Sequence, residues 1–414
     1  MYKFILENDT AAFDAFVESN GGSLMQTTMW ARTRAGKKHR FYSGFDSASR
    51  RVLTAAVVER DIHGITLWCI PCGMCCDCTD SALVSQFADF IKGEMKKSGV
   101  CALIADPYIE EKDSRRDAVD SAFSSAGFVH NEDKDDYVIQ PYATLLLPLV
   151  GENGERYTPE TLLKSFDKGV RYSVRVGEQR GLVLEKYSGD EVTDETAERF
   201  FSVMNETADR VEFFTPDAGF YKSFADIFGS RAVIYLVSYD KQKDANENNA
   251  RLARISEIES TFDTLRPNRV PAAKAELEKL RGACGAYEER VKESEPLGEV
   301  SYLACGLSVC FGKTSTCVFG GTKNILRNAL RCSHFVNFQR VCDSIARGCD
   351  VHDMGRLPVG AKQDGHRYNG LFKFKSSFGS EYTEYIGEYT LVADKKRYFI
   401  YKKLLPAAKK LLGR

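Results

Sequence analysis

Segments that read as strands and segments that read as helices alternate along this chain in two successive rounds. The first round spans residues 51–128 and the second spans residues 144–240, with similar sizes and a similar order of elements. Runs rich in Val, Ile and Leu predict the strands, and apolar residues three and four apart predict amphipathic helices. A length of 414 residues also exceeds what one ordinary core accommodates. The sequence therefore predicts a duplicated α/β (α+β) fold with two domains.

Some of these helices carry recognisable end signals. Asp80 or Ser81 is a suitable N-cap for a helix over residues 81–99. Residues 158–181 predict one long helix or a helix pair. A helix through residues 334–347 is expected to end at Gly348, because glycine readily adopts the left-handed conformation that closes a helix.

A different pattern fills residues 242–297. Apolar residues recur there at spacings of three and four, and the sequence Arg266-Pro267-Asn268 interrupts them once. Two heptad-patterned helices joined by a Pro-Asn turn predict an antiparallel helical hairpin, a coiled-coil arm. The remaining positions are mostly charged or small, so the arm is expected to project into water. It either acts as a spacer or contacts a large partner, and the pattern favours neither.

The overall charge is nearly balanced, with 57 basic and 58 acidic residues. This balance argues against a protein that coats nucleic acid, but it is compatible with a local basic patch. Neither a signal peptide nor a membrane-spanning run is evident, so a cytoplasmic protein is expected. The tail at residues 394–414 carries eight basic residues against one acid. It either contacts anionic lipid or tRNA phosphate, or forms a solvated helix on the first domain.

Five of the thirteen cysteines cluster between Cys69 and Cys78. A zinc site normally takes four ligands, usually as two separated pairs. This cluster offers Cys72 and Cys75 but no matching second pair. The spacing therefore favours a cysteine-rich turn, and no metal is predicted.

The stretch GLFKFKSSFGSEYTEYIGEY, from Gly370 to Tyr389, alternates aromatic and polar residues with a period of two. Such alternation predicts a strand with Lys373 and Lys375 on one face and Phe372 and Phe374 on the other. Either the lysines lie on the solvated face of an edge strand, or one of them meets a negatively charged substrate. The alternation alone favours the solvated face.

Together with six other stretches, this one resembles the motifs of the FemABX family, the peptidyltransferases that build peptidoglycan interpeptide bridges with aminoacyl-tRNA. The resemblance covers nearly the full length, and the C-terminal stretch is its most specific part. The other stretches are Gln26–Arg34, Ile70–Asp80, Ile104–Pro107, Phe200–Tyr221, Val318–Thr322 and His352–Gly355. The chain departs from the family at Pro216, where Arg is frequent, at Phe220, where Tyr is common, and at Arg356, where a second Gly is usual.

The resemblance implies two acetyltransferase-like domains with an inserted helical arm. The first comprises residues 1–145 with 386–414, the second comprises residues 146–241 with 298–385, and the arm comprises residues 242–297. The implied reaction transfers Ala, Ser or Gly from aminoacyl-tRNA to the stem-peptide amine of a peptidoglycan precursor, with no cofactor. The precursor is lipid-linked or nucleotide-linked, and a lipid-linked one would bring peripheral contact with the inner face of the plasma membrane.

Two other classes of protein stay open. One is a non-catalytic protein that binds tRNA or the precursor, and an intact Phe374-Lys375 pair argues against it. The other is an acyl-CoA N-acyltransferase, which would need a glycine-rich phosphate loop after a central strand. No convincing copy of that loop is present in the sequence.

The resemblance assigns Lys375 to the tRNA 3′ end, with Phe374 shaping the pocket beside it. An ammonium group held next to a phosphate or an oxyanion contributes more in a partly dry site than on the surface. Asp106 follows a predicted strand and is a candidate proton acceptor. It is also suited to a helix cap or a turn.

Four further residues are candidates for binding the precursor. Arg34, close to Lys37, is expected to clamp precursor phosphates, with a plain basic loop as the alternative. Arg210 and Tyr221 are expected to line the peptide groove, with helix packing as the alternative.

Overall fold

The computed structural model describes residues 1–34 and 36–404, which form two mixed β-sheets covered by helices. The strands are β1 (Lys3–Leu6), β2 (His39–Phe45), β3 (Arg51–Ile62), β4 (Ile65–Ile70), β5 (Cys75–Cys76), β6 (Ala102–Ala105), β7 (Val129–His130), β8 (Ala143–Pro148), β9 (Leu182–Ser188), β10 (Ala232–Asp240), β11 (Val300–Phe311), β12 (Thr314–Thr322), β13 (Val351–Asp353), β14 (Glu381–Glu384) and β15 (Tyr389–Val392). The α-helices are α1 (Thr10–Ser19), α2 (Thr28–Arg32), α3 (Ser81–Lys97), α4 (Arg116–Ser125), α5 (Pro159–Ser165), α6 (Lys168–Glu178), α7 (Asp194–Val211), α8 (Ala218–Phe228), α9 (Lys241–Thr261), α10 (Val270–Glu293), α11 (Arg327–Leu330), α12 (Cys332–Ala346), α13 (Asn369–Ser376) and α14 (Lys395–Phe399). Within the described ranges, every helix is too short or too polar to cross a bilayer.

The first sheet has eight strands in the order β1-β2-β3-β4-β6-β15-β7, with β5 paired to β3. β4 and β6 are parallel, whereas β15 is antiparallel to both β6 and β7. The segment near the C-terminus therefore completes a sheet that the N-terminal part begins. Helices α3 and α4 bury Leu83, Phe87 and Phe123 in the core of this sheet. Full burial of a side chain of this size stabilises the fold by about 1.5–3 kcal/mol.

The second sheet has seven strands in the order β14-β8-β13-β12-β11-β10-β9. Only β12 and β13 are parallel in it, and they pair over Thr314–Thr316 and Val351–Asp353. Helices α6 and α12 pack on this sheet and bury Val174, Phe338 and Val341. The predicted division after residue 145 falls inside β8, and the domain boundaries stay a prediction.

One apolar cluster joins the two sheets. Phe13 and Trp30 come from the first part of the chain and pack in the same cluster as Phe200 and Phe224. The rings of Trp30 and Phe224 meet edge to face, with centroids 6.1 Å apart. Because this junction is apolar and closely packed, α2 keeps a fixed position relative to α8. That position matters for the cleft described below.

Helices α9 and α10 pack against each other through Ile255, Ile258 and Leu277. At the base of the pair, Asp244 Oδ1 and Arg290 Nη2 lie 2.8 Å apart and are buried. This contact joins the start of α9 to the end of α10, so the two helices run antiparallel. Removing one partner of a buried ion pair costs about 3–5 kcal/mol, so both residues of this pair are needed to hold the base.

Several local predictions are confirmed. Asp80 caps α3 by accepting a hydrogen bond from the Leu83 backbone N–H at 2.9 Å. Residues 158–181 contain two helices, α5 and α6. Gly348 follows α12 with a φ of 75°, in the left-handed region expected of a residue that closes a helix.

The prediction of a strand across Lys373 and Lys375 is wrong, because Asn369–Ser376 forms helix α13. Tyr368 and Phe372, four residues apart, pack on the same apolar cluster as Phe374. The segment folds as a helix because these apolar contacts follow a helical spacing, although Phe and Lys alternate with a period of two. Residues two apart on a helix point in nearly opposite directions. Lys373 therefore faces solvent, whereas Lys375 is buried. The strands β14 and β15 begin only after this helix.

Candidate active site

Gln26 joins two of the sequence motifs. Its side-chain oxygen accepts a hydrogen bond from the Ala56 N–H at 2.8 Å, and its amide donates to the Pro71 carbonyl at 2.6 Å. A Cβ atom on Gly73 would lie 2.5 Å from Gln26 Cδ, so only glycine fits there without a rearrangement. These contacts place α2 beside β3 and the turn that follows β4.

A cleft of about 380 Å³ opens between α2, β3 and this turn. Its lining includes three cations, Arg34, Lys37 and Arg60, and no acidic side chain. The Arg34 guanidinium lies 4.8 Å from the centroid of the Trp30 ring, which also lines the cleft. The other lining residues are Met25, Ala31, His39, Ala56, Val58, Pro71, Ile139 and Gln140. We call this feature the cationic cleft.

The electrostatics of the cationic cleft suit an anionic ligand. Partial desolvation, together with the nearby charge of Arg60, lowers the pKa of Arg34. Burial likewise lowers the pKa of His39, so this imidazole is mainly neutral at pH 7. A bound phosphate would relieve the repulsion between the cations, and arginine guanidinium groups bind phosphate with two parallel hydrogen bonds.

One wall of the cationic cleft depends on the C-terminal motif. The buried Glu388 carboxylate accepts hydrogen bonds from the Val138 N–H at 2.9 Å and from the Ile139 N–H at 2.5 Å. Burial raises the pKa of Glu388, and these two donors oppose that rise. Gly387 has a φ of 93°, and a Cβ atom there would lie 2.6 Å from the Tyr142 ring. The Gly-Glu pair thus holds the backbone that presents Ile139 to the cleft.

Asp106 contacts Gln140, one of the lining residues of the cationic cleft. Its carboxylate is buried and accepts hydrogen bonds from the Tyr108 N–H and from Gln140 Nε2, both at 3.2 Å. Gln140 lines the cleft, whereas Asp106 does not. Asp106 therefore occupies a turn and is positioned to orient Gln140. Its role as a proton acceptor stays a prediction.

Arg356, one of the departures from the family pattern, lies between the two sheets. Its guanidinium stacks 3.9 Å from the Tyr385 ring centroid, and the Tyr385 and Tyr108 rings are themselves stacked at 4.9 Å. It also donates hydrogen bonds to Cys72 Sγ at 3.5 Å and to the Pro141 carbonyl at 3.3 Å. Burial opposes its charge, but Cys72 and Asp106 raise the pKa of Arg356.

Lys375 contacts Gly355, the residue that precedes Arg356. Its side chain is only 9% exposed, and its Nζ donates a hydrogen bond to the Gly355 carbonyl at 2.8 Å. Burial lowers the pKa of Lys375 to about 8, although Cys317 and Asp353 favour the charged form. In the described part of the chain, no carboxylate forms an ion pair with this ammonium. We call Lys375 and its surroundings the Lys375 site.

Phe374 packs at the edge of the Lys375 site. Its ring centroid lies 5.0 Å from that of His334 and 5.4 Å from that of Phe378. The side chain is half-buried, so part of the ring is accessible. Burial lowers the pKa of His334 to about 4, which leaves this neighbour neutral at pH 7.

The structure brings some of the predicted residues together and separates others. Arg34 and Lys37 line one cleft, whereas Arg210 and Tyr221 are absent from its lining. Arg210 donates a hydrogen bond to the Thr322 carbonyl at 2.8 Å. Tyr221 is fully buried, and its hydroxyl lies 2.6 Å from Thr215 Oγ1. Both occupy packing positions in this conformation, and their role in a peptide groove stays a prediction.

Among the lining residues of the cationic cleft that sequence reasoning missed, three have side chains suited to binding a polar ligand: His39, Arg60 and Gln140. Arg60 lies near the end of β3, where charged residues follow an apolar run. This change from apolar to charged residues was the signal that could have identified it. His39 lies within the basic stretch Lys37-Lys38-His39-Arg40, close to Arg34. Gln140 belongs to a stretch between strands that carries no recognisable motif.

The cysteine-rich turn has ordinary thiol contacts. Cys76 Sγ and Cys78 Sγ lie 3.7 Å apart. Over residues 1–34 and 36–404, no three His, Cys, Asp or Glu side chains are grouped so that they could hold a metal ion.

The family model, the similar proteins and the similar solved structure each match nearly the whole chain. The model of the FemAB family matches residues 9–405. The lipid II:glycine glycyltransferases of Staphylococcus aureus strains MRSA252 and USA300 are 26% and 25% identical over 410 residues, covering 95% of this chain and 94% of theirs. The crystal structure of FemX superposes with a TM-score of 0.76 at 22% identity, covering 96% of this chain and 99% of that chain, and it shares the two-sheet fold. Because the family model spans almost every residue, the chain belongs to the FemAB family.

Proposed function

We propose that this protein transfers Ala, Ser or Gly from aminoacyl-tRNA to the stem-peptide amine of a peptidoglycan precursor. The observation that carries the proposal is the cationic cleft, found in a FemAB family member whose relatives are named lipid II:glycine glycyltransferases. Its three cations and its aromatic ring suit a ligand that combines phosphates with an apolar or sugar portion.

The acceptor would bind in the cationic cleft. Arg34, Lys37 and Arg60 would contact the precursor phosphates, and Trp30 would support the adjoining group. Gln140, oriented by Asp106, offers a side-chain amide at the floor. The stem-peptide amine must be neutral to react, and its ordinary pKa near 10.4 requires a site that disfavours its charge. Nearby cations do so, because like charges favour the neutral amine.

The donor would bind at the Lys375 site. The aminoacyl ester of a charged tRNA is already activated, so the reaction needs no covalent nucleophile. It needs the amine positioned against the carbonyl and stabilisation of the developing oxyanion. An ammonium that is buried and lacks a carboxylate partner supports both an oxyanion and a phosphate contact, and Phe374 supplies a surface beside it. In this proposal, each sheet with its helices is one acetyltransferase-like domain.

The test supplies the purified protein with tRNA charged separately with Ala, Ser and Gly. Lipid-linked and nucleotide-linked precursors serve as acceptors, and mass spectrometry follows each of them. We expect a mass increase of one residue from at least one donor. The Lys375→Ala variant should lose the transfer and keep precursor binding, because Lys375 lies outside the cationic cleft.

Lys373→Ala is the matched control, since Lys373 lies on the same helix but is exposed and pairs only with Asp364. Its transfer rate should equal that of the unmodified protein. If no donor supports transfer while the precursor still binds, the protein is a binding protein. If an acyl-CoA supports transfer in place of the charged tRNA, the donor assignment is wrong.

A further inference from the structure

The last described residues of the chain form an amphipathic surface. Along Lys395–Leu404, side chains alternate in pairs between inward and outward positions. Tyr398 and Tyr401 point inward and pack on an apolar cluster of the first sheet. The outward side chains are three lysines and three large apolar residues, with no acid among them. They are Lys395, Lys396, Lys403, Phe399, Ile400 and Leu404.

The apolar side chains of this surface are unusually accessible. Phe399 is 56% exposed, Ile400 is 40% exposed and Leu404 is 51% exposed. Ile400 and Leu404 lie four residues apart and are therefore neighbours on the helix surface, and Phe399 precedes Ile400 directly in the chain. Lys395 and Lys396 precede these apolar residues and Lys403 lies between Ile400 and Leu404, so lysines and apolar side chains share one exposed surface, a combination also found in helices that lie in a membrane interface. We call these six outward residues the C-terminal surface.

A basic cavity of about 380 Å³ adjoins the C-terminal surface. It is lined by four cations, Lys96, Lys395, Lys396 and Arg397, and by one acid, Asp394. The Asp394 carboxylate already accepts hydrogen bonds from the backbone N–H groups of Lys396 and Arg397, as the cap of α14. The cavity therefore offers excess positive charge and is large enough to admit a phosphate group.

The C-terminal surface is close to the cationic cleft. The apolar cluster beneath Tyr398 and Tyr401 also contains Val58 and Ile139. The same two residues line the cationic cleft. One layer of side chains thus separates the two features, so a molecule held at one lies near the other.

We propose that the C-terminal surface docks on a bilayer with anionic headgroups. Headgroup phosphates would occupy the basic cavity, and Phe399, Ile400 and Leu404 would enter the boundary between headgroups and acyl chains. Docking there would present the cationic cleft to a precursor carried in the same membrane. The acceptor is therefore a lipid-linked precursor, a step that rests on the proposed function.

An RNA partner would also use the lysines of this surface. It would leave three apolar side chains between its phosphates without a counterpart, since RNA backbones offer no acyl layer. The mixture of charge and aliphatic surface accordingly favours the bilayer.

The docking test uses the full-length protein and sedimentation with vesicles of phosphatidylcholine, alone or mixed with phosphatidylglycerol. We expect binding to the mixed vesicles only. Lys395→Gln combined with Lys396→Gln should weaken that binding about thirtyfold. Phe399→Ser combined with Ile400→Ser should weaken it about as strongly, because two buried apolar side chains are lost. Val129→Ser is the matched control, since Val129 is also exposed on the first sheet.

Equal vesicle binding by the surface variants and the unmodified protein would overturn the docking proposal. So would an unchanged affinity for vesicles together with a weaker affinity of the lysine variant for tRNA. Thermal unfolding of each variant confirms that the exposed substitutions leave the fold intact.

A second experiment distinguishes a failure of this proposal from a failure of the proposed function. Transfer is measured onto lipid-linked precursor in mixed vesicles and onto soluble nucleotide-linked precursor. We expect the transfer rate of the surface variants to fall about tenfold with the precursor in vesicles and to stay unchanged with the soluble precursor. An equal rate with both acceptors in every variant would overturn the inference about the acceptor. Absence of transfer by the unmodified protein would overturn the proposed function, whereas vesicle binding would still decide the docking proposal.

Discussion

The cationic cleft and the Lys375 site both use positive charge, but they keep it in different surroundings. In the cleft, Arg34 and Lys37 are exposed and Arg34 stacks on Trp30, so water solvates their charges until a ligand arrives. At the other site, Lys375 is buried with one carbonyl as its partner, and its pKa is lowered to about 8. The cleft can attract an anion over a distance, whereas the buried ammonium acts only on a group that comes into contact with it.

Binding an anion and stabilising charge during a reaction are two separate tasks, and a sequence alone assigns both of them to basic residues in general. The different surroundings of the two sites separate these tasks. Exposed cations contribute to binding and lose part of their effect in salt. A buried ammonium destabilises the fold, so its presence points to a functional role. Substitutions at the two sites should therefore differ in their effects on stability, rate and affinity.

The largest effect is expected for Lys375→Met. Removing an ammonium whose pKa is about 8, against an ordinary 10.5, should raise the free energy of unfolding at pH 7 by about 3 kcal/mol. The transfer rate should fall about a hundredfold or more, because a charge that stabilises the oxyanion is lost. Chemical denaturation and the transfer assay measure the two changes. Lys373→Met, at an exposed position of α13, should alter stability by less than about 0.5 kcal/mol.

The pH dependence sharpens the same prediction. Between pH 8 and pH 10.5 the unfolded chain keeps the Lys375 proton and the folded chain releases it. The free energy of unfolding of the unmodified protein, as far as it depends on Lys375, therefore rises with pH across that window. The advantage of Lys375→Met should be largest below pH 8 and should vanish near pH 10.5. An advantage that is constant with pH would mean that the pKa of Lys375 is the same in the folded and unfolded chains.

A smaller effect is expected for Arg34→Ala. Loss of one charged hydrogen-bond donor should weaken binding of the nucleotide-linked precursor about tenfold at low salt. The stability should change little, because the side chain is exposed. Calorimetric titration at two salt concentrations measures the affinity, and the difference from the unmodified protein should shrink as salt increases.

Lys38→Ala controls for a general loss of charge. Lys38 lies near the cleft but outside its lining, and it pairs with Glu59 at 3.1 Å. If Lys38→Ala weakens binding as much as Arg34→Ala does, the basic loop acts as a whole and the cationic cleft is not the specific site.

The smallest effect is expected for Asp106→Asn. The change keeps one acceptor oxygen but places an amide next to Gln140 Nε2, so Gln140 should lose its orientation. We expect KM for the precursor to rise about fivefold with kcat nearly unchanged, an effect of about 1 kcal/mol. A fall in kcat of a hundredfold, with KM unchanged, would instead identify Asp106 as a proton acceptor.

The sequence by itself determined the family and the order of most strands and helices between residues 51 and 348. Local signals suffice there, because residues close along the chain set caps, periodicity and breaks. Asp80 at the start of α3 and Gly348 after α12 are examples. The same local reasoning failed at α13, where two periodicities overlap within eight residues and packing on the second sheet chose the helical one.

Only the tertiary structure decided which charges share a site. Arg34, Arg60 and Gln140 come from separate segments, and they meet because Gln26 bonds β3 to the Pro71 turn while Glu388 holds the wall. It also decided that Lys373 is solvated and Lys375 is not, although only Phe374 separates them in the sequence. The physical reason is that burial and charge interactions depend on distances across the fold, which spacing along the chain does not specify.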